Sequence, residues 1–281
     1  MKLIDGKKLA ERREIELKKK VRGLGRIPNG VNILIGDDPS SVLYTQIKEK
    51  KAKELGINFT TLKFSLGGNS NPPPRWDEVV KKIEELNQDN NTDGLMIQLP
   101  LPKEFLGSHQ TEELLALIDP QKDIDGLNYA RKTSSFVPAA VKAVLSILED
   151  ENIEISGKQV VIVGASDLVG KPIAKEIEKR GDKVVICDKG TADLKECMLQ
   201  ADILISATGV PGLITGDMVK KGIVVIDVGS EKVDEKLVGD VDFASVYPKV
   251  SKITPVPGGV GPMTVISLME NVVEAVKKDS K

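Results

Sequence analysis

Ser41, Tyr44 and Lys48 stand at offsets of 0, 3 and 7 in a stretch whose apolar pattern predicts a helix. At about 100° per residue their side chains fall within an arc of about 60°, so a hydroxyl, a phenol and an amine can line one pocket. An amine partly withdrawn from water loses proton affinity and can exchange protons near neutral pH. The competing reading is a solvated face, because Lys48 belongs to a basic run with Lys50, Lys51 and Lys53. Gln98 ends an apolar run and is followed by Leu99-Pro100-Leu101-Pro102. The prolines stop the strand and leave the glutamine at its carboxyl edge, where parallel sheets bind ligands. Asp123-Ile124-Asp125-Gly126 adds two carboxylates, and by itself reads first as an Asx-type turn.

A second constellation lies further on. Gly164-Ala165-Ser166-Asp167-Leu168-Val169-Gly170 follows a four-residue apolar strand and opens a helix whose first turn can hold Pro172. Gly164 permits a tight turn, Gly170 permits close helix-to-strand packing, and Ser166 offers a hydroxyl where helix amides would face a pyrophosphate. The pattern is a variant of GxGxxG, and an ordinary strand-to-helix connection uses glycine too. Asp188 ends the next apolar run, twenty-four residues after Gly164. That is near the spacing of about 20 expected of an acid that reads ribose hydroxyls. It also suits a solvated loop, and Lys189 beside it complicates either reading.

The scarce residues exclude other chemistry. His109, in a predicted surface loop, is the only histidine, so no His-rich metal site can form and no metal is expected. Cys187 and Cys197 have neither CxxC spacing nor the number for a disulfide framework, which points to a reducing, cytoplasmic setting. Forty Lys and Arg against 42 Asp and Glu give a net charge of −2, with no global field for nucleic acid or an anionic membrane. No apolar run approaches the roughly 18 residues that span a bilayer.

Elements that must position these residues follow from 281 residues of which 40% are hydrophobic. That length suggests two domains. Apolar runs at 31–35, 59–64 and 94–99 alternate with helical patterns at 41–55 and 76–87, the order of a parallel sheet covered by helices. A helix at 112–118, a turn-rich stretch at 119–128 and a helix at 139–149 come next, while 69–74 is a polar, proline-rich loop. The pattern then repeats with strands at 160–163, 184–187, 203–206 and 223–228. The reading is an α/β protein with an N-terminal three-layer α/β catalytic domain, 1–138, and a Rossmann-type dinucleotide-binding domain, 139–263. A last helix, 264–281, packs back on the first domain.

Thr254-Pro255-Val256-Pro257-Gly258-Gly259-Val260-Gly261-Pro262-Met263-Thr264 is too long and peculiar for an ordinary connector. With the Ser41/Tyr44/Lys48 spacing, the Gln98 strand end, Asp123-x-Asp125-Gly126, the Gly164 turn, Ile4-Asp5-Gly6 and Leu237-Val238-Gly239-Asp240-Val241-Asp242-Phe243, it resembles the bifunctional methylenetetrahydrofolate dehydrogenase/methenyltetrahydrofolate cyclohydrolase family over essentially the whole chain. The resemblance implies oxidation of 5,10-methylenetetrahydrofolate by NAD(P)+, then hydrolysis of the 5,10-methenyl cation to 10-formyltetrahydrofolate. It implies Lys48 as acid/base, Gln98 holding it, Tyr44 stacking on the pterin, and Asp125 anchoring the pterin amines, with Ser41, Pro257, Gly258 and Gly259 also on the substrate. For the cofactor it implies Gly164, Ala165, Ser166, Gly170, Asp188, Lys189, Thr208, Gly209, Gly229 and Thr264, and for the assembly a homodimer through the second domain.

Departures from the family pattern fall on the cofactor side. Pro138-Ala139-Ala140-Val141 replaces Pro-Cys-Thr-Pro, Ala165 stands where arginine is frequent, Asp188-Lys189-Gly190-Thr191 replaces His-Ser-Arg/Lys-Thr, and Glu231 replaces asparagine. NADP is the family's usual cofactor, but Asp188 and Ala165 favour NAD here. The alternatives are a cyclohydrolase-dominant or non-catalytic dinucleotide-binding homologue, and a two-domain dehydrogenase of the shikimate type.

Overall fold

The computed structural model describes residues 2–66, 74–131, 133–234 and 236–278. Of the proline-rich stretch expected at 69–74, all but Pro74 lies outside them. The chain forms two compact units, one of residues 14–139 with 268–281 and the other of 1–13 with 140–267.

In the first unit β1 (Asn29–Ile35), β2 (Asn58–Phe64) and β3 (Gly94–Ile97) form a parallel sheet in the order β2-β1-β3. The central strand is buried from Gly30 onward and apolar apart from Asn32, as suits a strand covered on both faces. Its Ile33 and Ile35 pack with Leu95 and Ile97 of β3 and with Val79 and Ile83 of α3 (Trp76–Gln88). The connecting helix α2 (Pro39–Leu55) is bounded by its own sequence. Asp38 caps it by accepting the Ser41 amide at 2.7 Å, Pro39 occupies a first-turn position, and Gly56 at φ 78° ends it in the left-handed region. β3 is shorter than the expected 94–99. Gln98 still donates its amide to the Ile33 carbonyl at 2.9 Å, but Pro100 has no amide to continue the ladder. Short α4 (Lys103–Leu106) was not anticipated, and α5 (Thr111–Leu115) is shorter than 112–118.

The second unit holds a five-stranded parallel sheet of β4 (Val160–Val163), β5 (Val184–Cys187), β6 (Ile203–Ser206), β7 (Val224–Asp227) and β10 (Lys252–Ile253), ordered β10-β7-β6-β4-β5. The chain leaves β4 toward β5 on one side and later returns to its other side as β6. The crevice beside β4 is thus the switch point at which such sheets bind ligands. α6 (Ala139–Asp150) leads in, and α7 (Gly170–Glu178) and α8 (Leu194–Leu199) connect the strands. The antiparallel hairpin β8 (Glu231–Val233) and β9 (Lys236–Val238), α8, α9 (Phe243–Val246) and β10 were not anticipated, being too short to show a period.

The units divide the chain differently from the expected 1–138 and 139–263. Residues 1–13 group with the second unit, where Leu3 bridges to Ile253 and the Ile4 amide donates to the Ile253 carbonyl at 2.8 Å. They lead into α1 (Gly6–Arg22). The terminal helix α10 (Val260–Lys278) starts four residues before the expected 264, because a first turn needs no amide from Pro262. Its later part belongs to the first unit, where the Asn271 amide group donates to the carbonyls of Ile124 at 2.8 Å and Val137 at 3.0 Å. Cys187 and Cys197 are joined as a disulfide, a pairing that their sequence separation gave no reason to expect.

Candidate active site

The face of α2 that turns to the sheet carries Ser41 and Thr45, both buried, and then Lys48. Thr45 accepts from Asn32, a fully buried residue at the centre of β1. Among the described residues the Ser41 hydroxyl and the side-chain Oδ1 of Asn32 are buried without a hydrogen-bond partner. Lys48 Nζ donates to Gln98 Oε1 at 2.9 Å and lies 3.7 Å from Met96 Sδ. Gln98 is itself fixed, since its Nε2 donates to the Leu99 carbonyl at 2.8 Å and so aims Oε1 at the lysine. The strand end and the helix face thus meet on one amine.

Crowding by protein strips water from Lys48, which pushes its pKa below the ordinary lysine value, and the negative charge of Asp125 opposes that shift. Asp125 is pushed above the ordinary carboxylate value by burial, with Lys48 pulling it back. The two carboxylates of the Asp123-x-Asp125 turn have separate duties. Asp123 accepts the amides of Leu127 at 3.3 Å and Asn128 at 3.0 Å, so it is the residue that builds the turn. Among the described residues none donates a hydrogen bond to the Asp125 carboxylate, while the Asp125 carbonyl accepts Ala139 N–H at 3.2 Å. Its position is held by backbone, while its side chain faces the charge of Lys48. Half-buried Tyr44 is one turn before Lys48 on α2. An amine of lowered proton affinity, an amide that orients it and a carboxylate with no protein donor can bind a donor-rich ring and move a proton.

In the second unit Gly164, at φ 109°, sits so close to β6 that a Cβ would lie 2.3 Å from the Ala207 carbonyl oxygen. A Cβ on Gly170 would lie 1.8 Å from the Gly164 oxygen, so both glycines are required by close approach. Ser166 Oγ accepts the amides of Val169 at 3.2 Å and Gly170 at 3.4 Å. No hydrogen bond among the described residues uses the amides of Ala165, Ser166, Asp167 or Leu168. Four free amides in the loop between β4 and α7, beside the switch point, suit a pyrophosphate, so the residues present fit a dinucleotide.

Asp188 is exposed and folded into its own turn, with Oδ1 accepting Gly190 N–H at 2.8 Å and its amide donating to Thr191 Oγ1 at 2.9 Å. Lys189 is exposed beside it. Thr208 and Gly209 follow β6, and a Cβ on Gly209 would lie 3.4 Å from Glu231 Oε1. Gly229 follows β7 and donates its amide to Asp227.

Pro257, Gly258 and Gly259 also lie in the second unit, where Gly6 packs on the Gly259 carbonyl so tightly that a Cβ would be 1.8 Å away. Thr264 Oγ1 donates to the Val260 carbonyl inside α10. His109 is on the surface, stacked on Trp76 at 4.1 Å and paired with Glu113 at 2.9 Å. The sequence reading gave no role to Met96, Asn32, Asp227 or Asp240. The last of these lay inside a quoted motif whose glycine-acid pairing was its only signal.

Two family models match, one described as the tetrahydrofolate dehydrogenase/cyclohydrolase catalytic domain over residues 4–125 and the other as the NAD(P)-binding domain of the same family over 138–280. The chain belongs to the tetrahydrofolate dehydrogenase/cyclohydrolase family. It is 42% identical to the bifunctional protein FolD of Mesoplasma florum, over 96% of this chain and 95% of that one. Among solved structures it is similar to the bifunctional FolD enzyme of Campylobacter jejuni, with a TM-score of 0.88 and 36% identity over 99% of both chains. It is similar also to Trypanosoma brucei FolD, solved with NADP and an inhibitor, with a TM-score of 0.86 and 30% identity over 99% of this chain and 98% of that one. Membership over both halves sets aside the shikimate-type alternative. No helix of the described residues is long and apolar enough to cross a membrane.

Proposed function

We propose that this chain performs both reactions of its family: oxidation of 5,10-methylenetetrahydrofolate with a nicotinamide cofactor, and hydrolysis of the methenyl product to 10-formyltetrahydrofolate. The observation that carries the reading is the Lys48 amine, held 2.9 Å from Gln98 Oε1 and lowered in proton affinity by loss of water.

Tyr44 stacks on the pterin, Asp125 accepts from its amino groups, and Ser41 supplies a further hydroxyl in the same recess. In the hydrolysis, water adds to the cationic methenyl carbon and loses a proton, which the neutral Lys48 amine takes. The bond from that carbon to N5 then opens as Lys48 returns its proton to N5 and the hydroxyl proton passes to solvent, leaving the formyl group on N10. Gln98 keeps Nζ in place throughout and, being neutral, does not restore the proton affinity that burial removes. Pro257, Gly258 and Gly259 complete the substrate-binding residues. When bound, the dinucleotide supplies the hydride acceptor for the first reaction.

Gly164, Ala165, Ser166 and Gly170 hold its pyrophosphate, with Thr208, Gly209, Gly229 and Thr264 lining its path. Asp188 reads the ribose, and with Ala165 in place of a cation we assign NAD as the preferred cofactor, Lys189 and Lys183 being the cations near it in sequence that would favour NADP. We further propose a cytoplasmic homodimer, with no nucleic-acid or membrane partner, that assembles through the second unit. There the edge strand β5 presents Val185 and Ile186, each 38% exposed.

The test supplies purified protein with 5,10-methylenetetrahydrofolate and NAD or NADP, and follows reduced cofactor and 10-formyl product together. Appearance of both supports the bifunctional reading. Hydrolysis of supplied methenyl substrate without any cofactor reduction would instead make the chain cyclohydrolase-dominant.

A further inference from the structure

Asp240, two residues beyond β9, is 1% exposed. Its Oδ2 accepts the Ser206 hydroxyl and the Thr208 amide, both at 2.7 Å. Its Oδ1 is buried and, among the described residues, accepts from no donor. That bare oxygen lies against Gly229, where a Cβ would come within 2.0 Å of it. A second buried carboxyl, Asp227 at the end of β7, accepts the amides of Gly229 at 3.0 Å, Asp240 at 3.1 Å and Val241 at 3.0 Å. Thr254 Oγ1 accepts the Asp227 amide at 2.8 Å. Two carboxyls therefore tie together the ends of β6 and β7 and the segment after the β8–β9 hairpin. The place is the carboxyl edge of the sheet, and the Ala207 carbonyl that precedes Thr208 is the group against which Gly164 packs.

A buried carboxylate oxygen without a donor is costly, and an apolar residue would fill the space without that cost. What an apolar residue could not do is hold the Thr208 amide and the Ser206 hydroxyl together on one atom while leaving room for nothing but a glycine at 229. We propose that Asp240 is a positioning residue for the dehydrogenase reaction, presetting the Thr208 and Gly229 backbones so that the dinucleotide meets loops already in their bound arrangement. Binding then pays no ordering entropy for these loops. Burial, with a smaller contribution from the Asp240 charge, pushes Asp227 up to about 7, the mark of two carboxyls sharing one dry site. The inference rests on the reading of Thr208 and Gly229 as cofactor neighbours.

The experiment uses full-length Asp240→Ala, Asp240→Asn and Ser166→Asp, measuring KM for NAD and NADP, dehydrogenase kcat, and cyclohydrolase rate on methenyltetrahydrofolate, which needs no dinucleotide. Asp240→Ala is expected to raise dinucleotide KM at least tenfold, with kcat within threefold and cyclohydrolase rate within twofold of the parent. Asp240→Asn retains one acceptor oxygen for Ser206 and Thr208 and is expected to recover most of the KM. If the alanine variant does not fold, Ser206→Ala, which removes only the hydroxyl donor, takes its place with an expected rise of about threefold. Unchanged KM in folded Asp240→Ala, or parallel loss of both activities in the asparagine variant, overturns the inference. Ser166→Asp places a negative charge among the free amides. If it also leaves KM unchanged, the cofactor-site reading itself fails; if it alone raises KM, only the role of Asp240 does.

Discussion

In the run Lys48, Lys50, Lys51 and Lys53, residues 50 and 53 are exposed, Lys51 is paired with Glu14 at 2.6 Å and Glu54 at 2.7 Å, and Lys48 turns inward to Gln98. Residue type could not separate them. The helical offset from Ser41 and Tyr44 put Lys48 on their face, but the partner that fixes it comes from a strand fifty residues later. The same holds for the two aspartates of the turn: both were visible, yet only the amides of 127 and 128 show that Asp123 makes the turn and Asp125 does not. Asp125→Asn follows from this division. The negative charge of Asp125 raises the proton affinity of Lys48 against desolvation, so removing it lowers the Lys48 pKa further. The limb on which cyclohydrolase activity rises with pH, as the amine loses its proton, is expected to move to lower pH. Folate KM is expected to rise about tenfold or more, since hydrogen bonds to charged groups contribute about 1.5–3 kcal/mol. A pH profile of kcat/KM checks the direction, and a limb displaced to higher pH contradicts the coupling.

Elements with sharp ends or a dense apolar run were legible: α2 by its Asp38-Pro39 start and Gly56 stop, and β1 by an apolar run interrupted only by Asn32. The four-residue strands β4 to β7 were legible as apolar runs, whereas α8, α9, β8, β9 and β10 were not, because they are held by partners distant in sequence and carry no period of their own. β10, for example, exists through register with Val224 and Val225 of β7. β5 was legible as a strand but not as an edge. Among the described residues its outer side has no partner, and its Val185 and Ile186 remain exposed. Exposed apolar edges are where chains associate. Sedimentation at micromolar concentration is expected to give twice the 30.4 kDa of one chain, and Val185→Lys with Ile186→Lys to give a folded monomer. A monomeric parent protein would remove β5 as the interface.

At the scale of the molecule, the division into two α/β units was legible from the repeated strand-helix order, but the chain's crossings between them were not. Leu3 and Ile4 are recruited by Ile253, a pairing that no local pattern announces. In the proposed function the second unit sets which cofactor is used. Asp188, exposed and held by Gly190 in a turn, would repel a 2′-phosphate and accept from a free 2′-hydroxyl. Like-charge contacts can cost several kcal/mol and about 1.4 kcal/mol is tenfold, so a screened fraction of the repulsion is measurable. The expected outcome is higher kcat/KM with NAD than with NADP, and Asp188→Ser shifting the ratio toward NADP; a tenfold parental preference for NADP contradicts it. The first unit carries the central claim, that one desolvated lysine handles the proton. Its most direct test is Lys48→Met, followed by loss of the near-ultraviolet absorbance of methenyltetrahydrofolate, with circular dichroism to verify the fold. Hydrolysis is expected to fall to the uncatalysed rate in a folded protein; hydrolysis above that background would remove Lys48 from its role.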